Sequence, residues 1–113
     1  MDCLFCKIAN KQISSNIVYE DSDVTAFTDV SPKAPVHILI IPKRHISTVL
    51  DLKDEDMELI GRLYIIAGKI ARDRKIDQDG FRLVMNCNKN AGQSVFHIHL
   101  HMLGGRVMNW PPG

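Results

Sequence analysis

The sequence predicts an α+β domain with a sheet of about five mainly antiparallel strands, one long helix and a short amino-terminal helix. Three observations carry that prediction. The segment from about Leu52 to Lys75 has the apolar periodicity of a long helix. Short runs rich in β-branched residues lie on both sides of it. Near its end the chain runs as Ser94-Val95-Phe96-His97-Ile98-His99-Leu100-His101-Met102-Leu103, a strict alternation of imidazole with apolar side chains.

In chain order, Phe5, Ile8 and Ala9 recur at helical spacing before Ser14-Ser15-Asn16 marks a turn. Ile17-Val18-Tyr19 and Val24-Thr25-Ala26-Phe27, separated by Glu20-Asp21-Ser22-Asp23, read as a hairpin. Ser31-Pro32-Lys33-Ala34-Pro35 interrupts, and Val36 to Ile41 then forms a strand stopped by Pro42. In the long helix Leu59, Leu63, Ile66 and Ile70 share one line, with Ile60, Tyr64, Ala67 and Ala71 beside it. Acidic Asp54, Glu55 and Asp56 at its start and Arg72, Arg74 and Lys75 at its end suit the helix dipole. Asp77 to Gly80 turn the chain, Phe81 to Asn86 read as a strand, Asn88 to Gln93 as a loop and Val95 to Leu103 as the last strand.

With 113 residues and no internal repeat or linker, residues 1–113 are expected to form one domain. Lys plus Arg number 14 against 13 for Asp plus Glu, so charge gives no case for nucleic-acid wrapping or membrane attraction. No segment approaches the ~20 apolar residues of a membrane span, and the amino terminus has no export pattern. The three cysteines, an odd count, suit reduced thiols in a cytoplasm, with Cys87 left over as a half-buried strand residue.

In a strand the histidines at 97, 99 and 101 share one face, with Ile98, Leu100 and Met102 on the other. At about 3.3 Å per residue the outer two lie roughly 13 Å apart, so they serve one extended site in different roles. Three readings are open on spacing alone. The histidines can be an exposed polar face, a zinc-hydrolase site in which residues i and i+2 share a metal, or a nucleophilic centre. In the last, one imidazole forms a covalent intermediate and its neighbours fix its tautomer.

The run from His97 to Leu103 resembles the His-φ-His-φ-His-φ-φ signature of the histidine triad (HIT) superfamily. Phe5-Cys6-Lys7-Ile8, Ala26-Phe27-Thr28-Asp29, Ser31 to His37, Ile41 to Ile46, Gly92-Gln93-Ser94-Val95-Phe96 and the tail Gly104 to Gly113 resemble its Hint branch. The Trp-Pro-Pro-Gly ending favours that branch over the dinucleoside polyphosphate hydrolases. The resemblance implies a HIT-like fold and a homodimeric purine nucleoside phosphoramidase with no organic cofactor. In that reaction His99 displaces an amine from a nucleoside 5′-phosphoramidate, or the leaving group of an acyl derivative, and water releases AMP or GMP from the nucleotidyl-histidine.

By position, the resemblance makes His101 a phosphate contact, His97 and His37 supports of the imidazole cluster, and Ser94 a hydrogen-bond donor near the leaving group. Asn86, Gly92, Gln93 and Val95 belong to the same nucleotide-binding region. Leu4, Phe5, Ile8, Phe27, Val30 and Leu39 match the base slot and Asp29 the ribose acceptor. Read without the resemblance, these apolar residues are ordinary core and Asp29 is a turn-former. Cys3-Leu4-Phe5-Cys6 is a CxxC which His45 and His97 would complete as a closed Cys₂His₂ set, implying a structural zinc as in several bacterial HIT proteins. Two free thiols on a helix are the other reading. Asn109 departs from some relatives and bears on substrate preference. Dinucleoside polyphosphate hydrolysis and a regulatory or scaffolding role in binding purine nucleotides are the competing functions.

Overall fold

A computed structural model of the chain describes residues 2–113. The elements run α1 (Leu4–Ala9), β1 (Ile17–Glu20), β2 (Val24–Thr28), β3 (Val36–Pro42), α2 (Met57–Asp73), β4 (Phe81–Val84), α3 (Asn88–Ala91) and β5 (Leu100–Gly104). The strands form one five-stranded sheet in the order β1-β2-β3-β5-β4, and each neighbouring pair is antiparallel. This is the predicted α+β architecture.

The sheet is covered on both faces, which is why β3 reads as a continuous apolar run rather than an alternation. On one face Val24, Ala26, Ile38, Ile40, Leu100 and Met102 meet Leu63, Ile66, Ala67, Ile70 and Ala71 of α2. Each fully buried Val, Leu, Ile or Met side chain there contributes about 1.5–3 kcal/mol. On the other face Phe27, Leu39 and Ile41 pack against Cys3, Phe5, Ile8 and Ala9 of the α1 region. That second, smaller core adjoins the histidines. Among the described residues no helix is long and apolar enough to cross a membrane.

The strand expected over Phe81 to Asn86 stops at Val84, and three further elements differ from expectation, each for a local reason. The long helix begins at Met57 rather than near Leu52, because two short 3₁₀ turns, Val49–Asp51 and Asp54–Asp56, precede it. The Asp51 carboxylate accepts the Thr48 N–H, and buried Asp56 accepts the Lys53 N–H while pairing with Arg44, so this polar run is committed to capped turns. The predicted 88–93 loop contains one helical turn, α3, closed by Gly92 at φ +85°.

The predicted strand 95–103 is reduced to Leu100–Gly104. In the β3–β5 register Ile40 faces Leu100, so the next positions would set Ile41 against His99 and Pro42 against Ile98. Pro42 has no N–H to give, and the ladder ends there. The Ile98 N–H instead donates to the Ile46 carbonyl at 2.7 Å. His97 and His99 therefore lie on a bent, irregular approach to β5 that the sheet does not hold by pairing.

Candidate active site

The three histidines are not equivalent. His97 is 0 % exposed, His99 6 %, and His101 half-buried. The His99 ring lies edge-on to Phe5, with centroids 5.0 Å apart, and 4.9 Å from the His101 ring. The His97 ring turns instead toward His45, 5.2 Å away. The single face expected of the alternation has thus split into two sites joined through one short stretch of backbone.

Hydrogen bonds assign the tautomers. His99 Nδ1 lies 2.8 Å from the His97 carbonyl, which only accepts, so Nδ1 carries the proton and Nε2 the lone pair. The Lys33 backbone N–H, which only donates, points at His37 Nδ1 at 3.0 Å. His37 Nε2–H is then the donor to His101 Nδ1 at 2.9 Å, which leaves the His101 proton on Nε2. The result is a nucleophilic nitrogen on one ring and an N–H donor on the next. An electrophilic phosphorus with anionic oxygens needs this pair of groups.

Burial holds the relay neutral. It pushes the His101 imidazole down to about 4, with the neighbouring His99 and His37 adding to the effect and Asp29 opposing it. Burial also lowers His37, against the pull of Asp29, whose Oδ2 lies 3.4 Å from His37 Nε2. Asp29, His37 and His101 are close enough to share an ion, but the Lys33-to-His37-to-His101 chain already accounts for both His37 nitrogens and for His101 Nδ1.

The second site gathers Cys3, Cys6, His45 and His97, whose ligand atoms lie within 4.8 Å of one another, close enough to hold a metal ion. His97 Nδ1 is 3.5 Å from both Cys3 Sγ and Cys6 Sγ, and His45 Nδ1 is 3.4 Å from Cys6 Sγ. Tetrahedral zinc with bonds of about 2.3 Å to sulfur and 2.0–2.1 Å to nitrogen would set such ligands roughly 3.5 Å apart. Both far nitrogens are occupied. His97 Nε2–H donates to the Pro42 carbonyl at 2.7 Å, so its Nδ1 lone pair faces the thiols, and His45 Nε2 meets Ser47 Oγ at 3.2 Å, a hydroxyl able to accept its proton when Nδ1 binds a metal. Burial raises the Cys6 thiol, and the neighbouring Cys3 adds to it; a cation there would reverse that shift. The donor set fits a closed four-ligand metal site.

A model of the HIT domain matches residues 10–108. The chain belongs to the HIT domain family. It is 51% identical over 107 residues to the purine nucleoside phosphoramidase of Escherichia coli strain K12, covering 95% of this chain and 90% of that protein. A HIT family hydrolase from Legionella pneumophila Philadelphia 1 superposes with a TM-score of 0.98 at 52% identity, over 99% of this chain and 100% of that one. A histidine triad protein from Clostridium difficile gives a TM-score of 0.94 at 45% identity, over 96% and 95% of the two chains.

This HIT domain brings most of the sequence-selected residues to the α1 side of the sheet. Phe5, Ile8, Phe27 and Leu39 are buried in the smaller core, and half-buried Val95 packs on it. Leu4 and Val30 are 48% and 98% exposed, so they form the rim rather than the floor of any slot. Asp29 Oδ1 accepts the Ser31 N–H at 2.8 Å. Asn86 is half-buried, while Gly92 and Ser94 are exposed. Gln93 differs from its neighbours, being 6% exposed with its amide bonded inward. A cavity of about 690 Å³ lies elsewhere, between the turn after α2, β4 and Gly105–Met108, and no histidine lines it.

Sequence reasoning missed the groups that orient the imidazoles: the Lys33 N–H, the Pro42 and His97 carbonyls, and Ser47. Three of these are main-chain groups and leave no side-chain signal. A pH dependence follows from the relay. A histidine whose folded pKa lies below its unfolded value binds fewer protons in the native state. Its contribution to stability is complete above about pH 6.5 and is lost as pH falls toward the folded value. Urea unfolding should therefore show stability falling between about pH 6.5 and 4, and the slope should diminish in His101→Asn. An unchanged slope in that variant would remove His101 as a cause.

Proposed function

We propose that this HIT protein hydrolyses the P–N bond of purine nucleoside 5′-phosphoramidates. The observation that carries the reading is the pairing of opposite tautomers, a lone pair on His99 Nε2 beside a proton on His101 Nε2. The 51% identity to a purine nucleoside phosphoramidase supports the substrate class. In the first step the His99 Nε2 lone pair forms a bond to the α-phosphorus and the P–N bond breaks, its electron pair leaving on the amine nitrogen, which takes up a proton from solvent that the hydrolytic water of the second step returns. Charge on the phosphoryl oxygens is met by His101 Nε2–H, and Ser94 donates a hydrogen bond near the departing nitrogen. Water then attacks phosphorus, the P–Nε2 bond breaks, and the nucleoside monophosphate leaves with His99 restored.

For the nucleoside, Leu4, Phe5, Ile8, Phe27, Val30 and Leu39 make the base slot, and Asp29, with Oδ1 already engaged by Ser31, offers Oδ2 to the ribose hydroxyls. Asn86, Gly92, Gln93, Ser94 and Val95 frame the phosphate side, Gln93 through its main chain. His99→Ala should lower kcat on an adenosine 5′-phosphoramidate by at least ~10⁴-fold, and acid-labile nucleotidyl-protein should accumulate on rapid quenching of the wild type. Faster turnover of a diadenosine polyphosphate than of the phosphoramidate would favour the hydrolase alternative. Tight purine monophosphate binding with no turnover of either would favour a regulatory binder.

The metal is zinc in this reading. Cys3, Cys6, His45 and His97 would hold it in a closed set, where it supplies folding energy and no open position for water. Protein purified without a metal-affinity step should contain close to one zinc per chain, and Cys3→Ser should lose it together with thermal stability. Metal-free wild type of full stability would rule the site out. The three free cysteines support a reducing, cytoplasmic setting.

The active form is a homodimer of single-domain protomers. Met57, Gly61, Tyr64, Ile65 and Gly68 fall within one arc of α2 that flanks its core face, with Met57 73%, Ile65 64% and Tyr64 47% exposed. A Cβ on Gly61 would meet nothing within 4 Å, and one on Gly68 only the Arg72 guanidinium at 4.0 Å. Glycine inside a helix costs about 1 kcal/mol relative to alanine, and nothing within one copy requires it here. A second helix approaching closely does. The wild type should sediment at twice the 12.8 kDa chain mass, and Gly61→Arg should give a folded monomer. A monomeric wild type at micromolar concentration would contradict this.

A further inference from the structure

Gln93 is buried between exposed Gly92 and exposed Ser94, and each polar atom of its amide has a partner. Its Oε1 accepts the Asn88 N–H at 2.8 Å, and its Nε2 donates to the Ser47 carbonyl at 2.8 Å and to the Val95 carbonyl at 3.1 Å. The orientation is unambiguous, because two carbonyls require the NH₂ end and an N–H requires the oxygen. The Gln93 backbone N–H also reaches the Asn88 carbonyl at 3.1 Å. One side chain thus ties the start of α3, the stretch leading into His97 and the segment carrying His45 and Ser47.

We propose that Gln93 is a positioning residue for P–N cleavage, acting through Ser94. This rests on the phosphoramidase reading. Ser94 is an exposed residue in a segment of Asn, Lys and Gly, a composition that by itself gives a mobile turn. A hydroxyl serving a departing nitrogen must be held close to one place, and a misplacement of about 1 Å costs on the order of 100-fold in rate. The Gln93 amide holds the residue before Ser94 and the carbonyl of the residue after it, and anchors both to the Ser47 main chain. The same bonds turn the amide away from any ligand, so the Gln93 side chain serves the reaction without touching substrate.

The test is a double-mutant cycle of Gln93→Leu and Ser94→Ala on an adenosine 5′-phosphoramidate, with Gln93→Glu as a second perturbation. Glutamate keeps the acceptor for the Asn88 N–H but sets a carboxylate oxygen against two carbonyl oxygens. Each Gln93 variant should lose about 10–100-fold in kcat with KM changed less than about threefold. The further loss caused by Ser94→Ala should shrink to less than about threefold on either Gln93 background, the non-additivity expected of residues acting as a unit. Additive losses, or a loss carried in KM, would overturn the assignment. Should the variants fail to fold, amide exchange in the wild type decides: the Asn88 N–H should be protected although its residue is exposed, and free exchange would overturn the clamp. A wild type that turns over with additive variants refutes the role of Gln93 alone, whereas a wild type without phosphoramidase activity refutes the function on which that role depends.

Discussion

The bonds of His97 are the constraint on which the two sites depend. Its imidazole is wholly buried, and an unpaired polar group there would cost several kcal/mol. Nε2–H goes to the Pro42 carbonyl and Nδ1 faces Cys3 and Cys6, while the main-chain carbonyl receives the His99 Nδ1 proton. Pro42 has a double part, since its missing N–H ends the β3–β5 ladder and its carbonyl then serves the histidine. Moving the His97 backbone would disturb both the four-residue metal set and the nitrogen that carries the His99 lone pair.

Core packing and site geometry share one register. Ile38 and Ile40 of β3 face α2, while Leu39 and Ile41 face α1. His37 pairs with Leu103 and Leu39 with His101, so the two relay histidines are diagonal neighbours on the same sheet face. A slip of one residue would carry the aliphatic side chains off the α2 face and break the 2.9 Å contact between imidazoles. The large apolar core therefore brings the two relay imidazoles together, and the Lys33 N–H then sets the direction of the bond between them.

Much of this was legible in the chain because it depends on side-chain pattern. The period of the α2 segment, the β-branched run of β3 and the alternation at 97–103 gave the layers and the order of elements, and the triad signature gave the family. What was illegible depends on main-chain groups. Nothing in the string of residues says that the Ile98 N–H would leave the ladder for Ile46, and so the last strand was read too long. The acidic residues before α2 fit a helix start equally well, and only their capping bonds to Thr48 and Lys53 separate turn from helix. Gln93 presents the same difficulty: a polar residue in a segment of Asn, Lys and Gly reads as a ligand contact, yet its amide is bonded inward.

His99 takes its tautomer directly from the main chain, and His101 takes its own through His37, which a main-chain N–H sets. The Lys33 N–H cannot lose its proton and the His97 carbonyl cannot gain one at any pH where the fold persists. A carboxylate in either place would serve only while ionised, and it would raise the pKa of its histidine; burial here does the reverse and keeps His101 neutral down to about 4. The direction of the relay, with donor on His101 and lone pair on His99, is consequently a property of backbone geometry. Asp29 lies near enough to bias His37 electrostatically, but it need not orient the ring, whose two nitrogens are already set by the Lys33 N–H and by His101.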